Sequence, residues 1–176
     1  MGFDAVCLGN HEFDNGLDEL SRRLRNLKVP AVCTNYDFSQ TSLAGVVKPY
    51  VIVRKAKKKI GIIGFLADMS TLASTEVNAA LKYQHPAELA TSYATWLREE
   101  KRCDMVICLS HLGYEGESYV DPELAAHTRG IDVIVGGHSH ATLEDLKTVK
   151  NLDGKDVVIV TDGKWGFTVG HLSVDF

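Results

Sequence analysis

Short continuous runs of apolar residues alternate along the chain with stretches in which apolar residues return every three or four positions. The runs at residues 4–9, 105–109 and 132–135 have the length and composition of strands buried on both faces. The stretches at residues 16–28 and after Pro86 have the spacing of one face of a helix. This alternation predicts an α/β fold with a largely parallel sheet.

The rest of the chain favours a second layer of sheet. Further strands are predicted at residues 31–34, 46–54, 59–66, 156–161 and 168–176, and a short helix near residues 122–128. The basic run from Arg54 to Lys59 is interpreted as an exposed hairpin connection, and residues 67–85, which have no clear period, are expected to be irregular. No repeat or linker interrupts the chain, so residues 1–176 are predicted to form one α/β domain, closer to a sandwich than to a simple doubly wound sheet.

The composition is that of an ordinary soluble protein, with 45% apolar and 24% charged residues. A formal net charge of −4 argues against a nucleic-acid surface. No apolar stretch reaches the length of a membrane helix, and the first residues do not resemble a signal peptide. The four cysteines form no CxxC pair, which favours free thiols in a reducing compartment. We therefore expect a cytoplasmic protein with neither a nucleic-acid polymer nor a membrane as partner.

Polar loops follow three of the predicted strands. Asn10 and His11 follow the first strand, His111 follows the second, and His138 and His140 follow the third. Because open α/β sheets build their sites at the carboxyl ends of strands, we expect these side chains to meet there. Neutral imidazoles and an amide oxygen are ligands for divalent transition metals. The first hypothesis is therefore a metal-dependent hydrolase, and this set of residues suits phosphoester hydrolysis by two ions.

Each loop also has a purely structural interpretation. A single histidine after a strand is more often a hydrogen-bonded structural residue than a ligand. Asp14 lies three residues after His11; it either orients that imidazole or caps the helix at residues 16–28, and the two roles are compatible. The zinc-peptidase motif is absent because Asn15 stands where its second histidine is required, and the chain has neither a GxxxxGK[ST] nor a GxGxxG motif.

Three motifs occur in a fixed order along the chain. They are Gly-Asn-His-Glu-Phe-Asp-Asn-Gly at residues 9–16, Ser-His-Leu-Gly-Tyr at 110–114 and Gly-Gly-His-Ser-His at 136–140. Together they resemble the calcineurin-like metallophosphoesterases, above all their 5′-nucleotidase branch, and residues 59–65 and 163–176 are similar to strands of the same catalytic domain. The resemblance implies a four-layer α/β-β-α sandwich and a two-metal hydrolase acting on nucleotides or related phosphoesters.

The resemblance also implies a role for individual residues. Four side chains with neutral donor atoms would bind two divalent ions (Mn, Zn, Mg, Fe or Co): Asn10, His111 and His138 the first ion, and His140 the second. His11 would contact the phosphoryl group or the leaving oxygen, with Asp14 as its carboxylate partner. Glu12 matches no ligand role in the family, and a structural role is expected for it.

The chain departs from the family pattern in one respect. That pattern begins with Asp-x-His and Gly-Asp motifs upstream of Gly-Asn-His-Glu, and Asp-x-His occurs nowhere in these 176 residues. We therefore expect a partial catalytic domain without its first β-α-β portion, its bridging carboxylate or a nucleoside-binding domain, impaired in hydrolysis by itself. The alternative is a degenerate paralogue that acts as a binding or scaffold module. The surface left open in a partial domain is expected to favour a homo-oligomer.

Overall fold

The computed structural model describes residues 2–116 and 118–176. These residues form eleven strands, four α-helices and one 3₁₀ helix. The strands are β1 (Val6–Cys7), β2 (Ala31–Val32), β3 (Tyr36–Asp37), β4 (Val47–Lys48), β5 (Tyr50–Lys55), β6 (Lys58–Leu66), β7 (Lys82–Tyr83), β8 (Met105–His111), β9 (Val133–Val135), β10 (Lys147–Lys150) and β11 (Asp156–Val160). The helices are the 3₁₀ helix (Asn10–Phe13), α1 (Gly16–Arg25), α2 (Thr75–Ala80), α3 (Pro86–Glu99) and α4 (Asp121–Ala126).

The larger sheet has six strands in the order β10-β11-β9-β8-β6-β5. Strands β6, β8, β9 and β11 run parallel in its centre, while β5 and β10 pair antiparallel at its two edges. Helices α3 and α4 pack on this sheet, and their side chains share one core with Phe65, Val106 and Ile134, which are fully buried. Since β8 and β9 are neighbours, the loops that follow them leave the sheet side by side.

The connection between β5 and β6 is the hairpin predicted for the basic run. Arg54 pairs with Lys59 and Lys55 with Lys58, which leaves Ala56 and Lys57 as a two-residue turn. Both turn residues have positive φ, 47° and 67°, as the common two-residue hairpin turns require. The turn is exposed, so these charges lie in solvent and the hairpin interpretation is confirmed.

The smaller sheet consists of β1, β2 and β4, all parallel. Helix α1 packs on it, and Leu20 of that helix shares a second core with Phe13 and Leu43. The two sheets approach closely, because a Cβ atom at Gly64 of β6 would lie only 2.6 Å from the carbonyl oxygen of Val32 in β2. The layers follow the order α1, smaller sheet, larger sheet, α3 with α4. This is the predicted four-layer sandwich, and the fold prediction is confirmed.

Three local predictions are wrong. The first apolar run forms only the short strand β1, which belongs to the smaller sheet and not to the sheet of β8 and β9. Residues 67–85 contain helix α2 and strand β7; this helix begins after Ser74, whose Oγ accepts the N–H of Val77 at 3.3 Å, and its six residues are too few to reveal a period. Residues 168–176 form no strand, because alternation alone does not make a strand without a neighbour to accept its backbone hydrogen bonds.

Within the described ranges, no helix is long and apolar enough to cross a membrane. All four cysteines are free thiols. Burial raises the pKa of the Cys7 thiol to about 12, which makes this sulfur a poor nucleophile at neutral pH. The reducing, cytoplasmic compartment expected from the cysteines stays a prediction.

Candidate metal centre

Three side chains at the ends of separate strands meet where the smaller sheet packs on the larger one. Asn10 follows β1, His111 ends β8, and His138 follows β9. Asn10 Oδ1 lies 3.1 Å from His111 Nε2, and the ring centroids of His111 and His138 are 4.9 Å apart. They converge although β1 belongs to the other sheet, because β1 packs against β8.

The 3₁₀ helix directs Asn10 toward His111. Glu12 Oε2 accepts the N–H of Gly9 at 2.7 Å and so closes the turn that carries Asn10. A Cβ atom at Gly9 would lie 2.7 Å from Cε1 of His111. Any larger residue at this position would therefore push the His111 ring away from the amide of Asn10. Glu12 therefore has the structural role expected for it, and the close approach explains the glycine.

His11 and Asp14 form a pair at the outer rim of this site. His11 Nδ1 lies 3.0 Å from Asp14 Oδ2, and the two side chains are 82% and 54% exposed. Helix α1 is capped at Asn15, without a side-chain hydrogen bond. Of the two interpretations of Asp14, the structure therefore supports the imidazole partner and not the helix cap. The carboxylate accepts from Nδ1, which leaves Nε2 free to face a substrate.

The loop that carries His138 and His140 is held in an uncommon backbone conformation. His138 has φ of 72° and His140 has φ of 58°, both in the left-handed region that L-residues seldom occupy. The N–H of Ser139 donates to the carbonyl of Gly137 at 2.9 Å, a γ-turn centred on His138. Ser139 Oγ accepts the N–H of Tyr114 at 3.0 Å. Such conformations persist only where the surroundings enforce them, and they cluster at functional sites.

Burial and mutual proximity keep the central imidazoles neutral. Burial, followed by the neighbouring rings of His138, His11 and His140, lowers the pKa of His111 to about 4. Burial, then His140 and His11, also lowers the pKa of His138. His11 and His140 lie near enough for a charge on either ring to affect both of these pKa values. At neutral pH His111 and His138 are uncharged and present lone pairs, the form in which imidazole binds metals.

These residues suit a divalent transition ion in the chemistry of their donors. Asn10 supplies an amide oxygen, and His111 and His138 supply neutral ring nitrogens, all of them ligand types for such ions. In the part of the chain that the structure describes, no three side chains of His, Cys, Asp or Glu are arranged to hold a metal ion. The convergent set thus has two imidazoles and an amide and no carboxylate.

Comparison with known proteins identifies the family. The family model described as calcineurin-like phosphoesterase matches residues 3–142. The chain belongs to this family. It is 32% identical over 190 residues to a probable 5′-nucleotidase of Treponema pallidum, a match that covers 99% of this chain and 31% of that protein.

Solved structures of related proteins have the same fold as this calcineurin-like phosphoesterase. The 5′-nucleotidase precursor from Thermus thermophilus is 33% identical and superposes with a TM-score of 0.83 over 93% of this chain and 34% of that one. The NAD nucleotidase of Haemophilus influenzae is 28% identical, with a TM-score of 0.77 over 91% and 34%. The chain spans about a third of the length of these relatives. The predicted family resemblance is confirmed, and family members generally use divalent metals.

The sequence gives no indication of two residues that help to hold this site together. Ser139 lies within the third motif but received no role, although its hydroxyl joins the His138 loop to Tyr114. Asp121 lies just before the short helix predicted near residues 122–128, and its side chain is fully buried. The only signal for Asp121 in the sequence is an acidic residue before Pro122, which is ordinary at a helix start and therefore drew no attention.

Proposed function

We propose that this site is the catalytic centre of a metallophosphoesterase that hydrolyses nucleotide phosphomonoesters. The observation that carries the proposal is the convergence of Asn10, His111 and His138 beside the exposed pair of His11 and Asp14. Metal ligands next to an oriented, solvent-accessible imidazole are what phosphoester hydrolysis needs. The relatives named 5′-nucleotidases support a nucleotide as the substrate class.

The proposed ligands divide between two ions in the complete protein. Asn10, His111 and His138 hold one ion, and His140 contributes to the second; the metals suited to these donors include Mn, Zn, Fe and Co, with Mg as a further candidate. When bound, the two ions would supply positive charge to stabilise the phosphoryl group and would lower the pKa of a water molecule for attack. The neutral state of His111 favours this role, because a protonated imidazole has no lone pair to offer.

His11 is proposed to act on the substrate. Asp14 Oδ2 accepts a hydrogen bond from the Nδ1–H of His11 and so orients the ring with Nε2 outward. When the ring is doubly protonated, the hydrogen on Nε2 would donate to a phosphoryl oxygen or pass to the leaving oxygen as the ester bond breaks, which leaves His11 neutral. Its high exposure gives a substrate direct access. Asp14 acts through His11 and is a positioning residue.

Residues 1–176 are proposed to act as one domain that binds metal weakly and hydrolyses slowly when isolated. The three convergent donors are neutral, and no Asp-x-His sequence supplies a carboxylate to offset the charge of two ions. The same feature supports the second candidate function, a binding or scaffold module with at most one ion. Exposed apolar side chains, among them Trp165, Phe167 and Val169, are 74%, 79% and 91% accessible and support association between copies of the chain.

Titration with Co²⁺, followed by its visible absorption, tests the metal site directly. We expect weak but saturable binding by the wild-type chain, and His138→Ala should weaken that binding by about tenfold or more. The matched control is His171→Ala, which removes an exposed histidine outside the cluster and should leave binding unchanged. Equal binding by wild type and His138→Ala would contradict the proposed ligand set.

Hydrolysis of AMP with Mn²⁺ separates the two candidate functions. Slow turnover that is lost in His11→Ala supports the phosphoesterase, whereas Co²⁺ binding without any turnover supports the binding module. Turnover as fast as that of an intact nucleotidase would contradict the expectation that this chain is impaired, since the site would then need no carboxylate.

A further inference from the structure

Asp121, the first residue of α4, is fully buried behind the two histidine loops. Its Oδ1 accepts the hydroxyl of Ser110. Its Oδ2 is buried and has no hydrogen-bond partner among the described residues. Burial of a carboxyl group costs free energy unless hydrogen bonds offset it. The proposed chemistry of the site gives no role to this carboxyl group.

One side of the Asp121 carboxyl group supports the strand end that carries His111. Ser110, which donates to Asp121, also accepts the N–H of Leu112 at 3.1 Å. The backbone N–H of Asp121 donates to the carbonyl of Gly113 at 2.8 Å. Ser110, which precedes His111, is therefore hydrogen-bonded to Asp121. Leu112, which follows His111, is connected to Asp121 through Ser110.

The other side of the carboxyl group faces the loop that carries His138. A Cβ atom at Gly136 would lie 2.5 Å from Asp121 Oδ2, so the carboxyl group packs directly against the backbone where β9 ends. Gly136 is two residues from His138, and its own N–H donates to Val160 of the next strand at 2.8 Å. Asp121 thus contacts both loops at their bases.

We infer that Asp121 is a positioning residue that sets the separation of the His111 and His138 rings, because its carboxyl group contacts the base of both loops. This inference rests on the proposed function for the role of the two rings as ligands. Removal of the carboxyl group leaves the backbone bond to Gly113 in place but deletes the contacts with Ser110 and Gly136. The rings should then lose their fixed separation even though neither histidine is altered.

Imidazole ¹H–¹⁵N spectra of the metal-free chain test the inference without any need for activity. Asp121→Ala should shift the ring resonances of both His111 and His138. Asp121→Asn keeps the acceptor for Ser110 and the same shape against Gly136, so it should leave both rings in place. The matched control is Leu124→Ala, a buried truncation three residues along the same helix, which destabilises the core but leaves the Asp121 carboxyl group in place.

A second variant keeps the test decisive if Asp121→Ala does not fold. Ser110→Ala breaks only the connection toward His111, so it should shift that ring and leave His138 unmoved. Unmoved rings in Asp121→Ala, or an unmoved His111 in Ser110→Ala, would overturn the inference. So would a Leu124→Ala spectrum in which both rings shift as far as in Asp121→Ala.

Co²⁺ affinity tests whether the contacts of Asp121 influence the metal site. Asp121→Ala should bind Co²⁺ about tenfold more weakly than wild type, while Asp121→Asn and Leu124→Ala should stay within about threefold. Failure of the wild-type chain to bind Co²⁺ would contradict the proposed function, and the imidazole spectra would still decide the role of Asp121. Shifted rings with unchanged Co²⁺ affinity in Asp121→Ala would overturn the claim that Asp121 positions the rings for metal binding.

Discussion

The strained backbone at His138 predicts an unusual order of stability between two substitutions. His138 has φ of 72° at the centre of a γ-turn. A residue with a Cβ atom costs roughly 1–2 kcal/mol in the left-handed region, whereas glycine occupies it freely but costs about 0.5–1 kcal/mol of additional chain entropy. The difference leaves His138→Gly more stable than His138→Ala by about 1 kcal/mol, the reverse of the usual order.

Thermal and urea unfolding of the two variants measure this difference. For a domain of this size, 1 kcal/mol corresponds to roughly 2–4 °C in Tm. Both variants lose the same imidazole, so their Co²⁺ affinities should be equally weak, and the stability difference reports on the backbone alone. We therefore expect the two measurements to separate the cost of the turn from the function of the ring.

Ser139 provides the internal control because it lies next to His138 but outside the left-handed region. Ser139→Gly and Ser139→Ala both lose the hydrogen bond from Tyr114, so that loss cancels between them. The alanine variant should be more stable here, by about 0.5–1 kcal/mol. If alanine were the more stable choice at both positions, the His138 turn would carry no strain and the reasoning would be refuted.

Three further predictions concern catalysis, pH and association. In a nucleotidase that contains this chain, His11→Ala should lower kcat far more than it weakens metal binding, and His138→Ala should do the reverse; equal effects on both quantities would contradict the assigned roles. Burial raises the pKa of Asp121 from 3.8 to about 7, so the folded state retains a proton that the unfolded chain releases, and the contribution of Asp121 to stability should fall between about pH 4 and 7. His111, whose pKa is lowered to about 4, has the opposite effect over much of this range, so the Tm of wild type measured relative to that of Asp121→Asn should fall as the pH rises across it. Light scattering should detect self-association that weakens when Trp165 and Phe167 are replaced by serine, and a monomer at all concentrations would count against it.

Elements that depend only on neighbouring residues can be predicted from the sequence. The central strands β6 and β8 are long apolar runs because they are covered on both faces, and that requirement is visible in composition alone. Asn10, His111 and His138 were expected at strand ends because a polar residue directly after an apolar run has few other places to lie. The hairpin at Ala56 and Lys57 followed in the same way from charges between two strands.

Features that depend on residues far apart in the chain become visible only in the folded structure. Asn10 and His111 are 101 positions apart, and only the packing of two sheets shows that β1 approaches β8 from the other layer. The six residues of α2 are too few for a periodic pattern, and residues 168–176 alternate without forming a strand, because pairing requires a neighbour that local sequence does not specify.

The site shows the same division. Donor types can be read from residue identity, since an imidazole is a ligand type in any fold. The turn strain at His138 and the burial of Asp121 cannot be read in this way, because backbone dihedrals and exclusion from water are imposed by surrounding elements. Local chemistry therefore established which groups were available, and long-range packing decided how they are held.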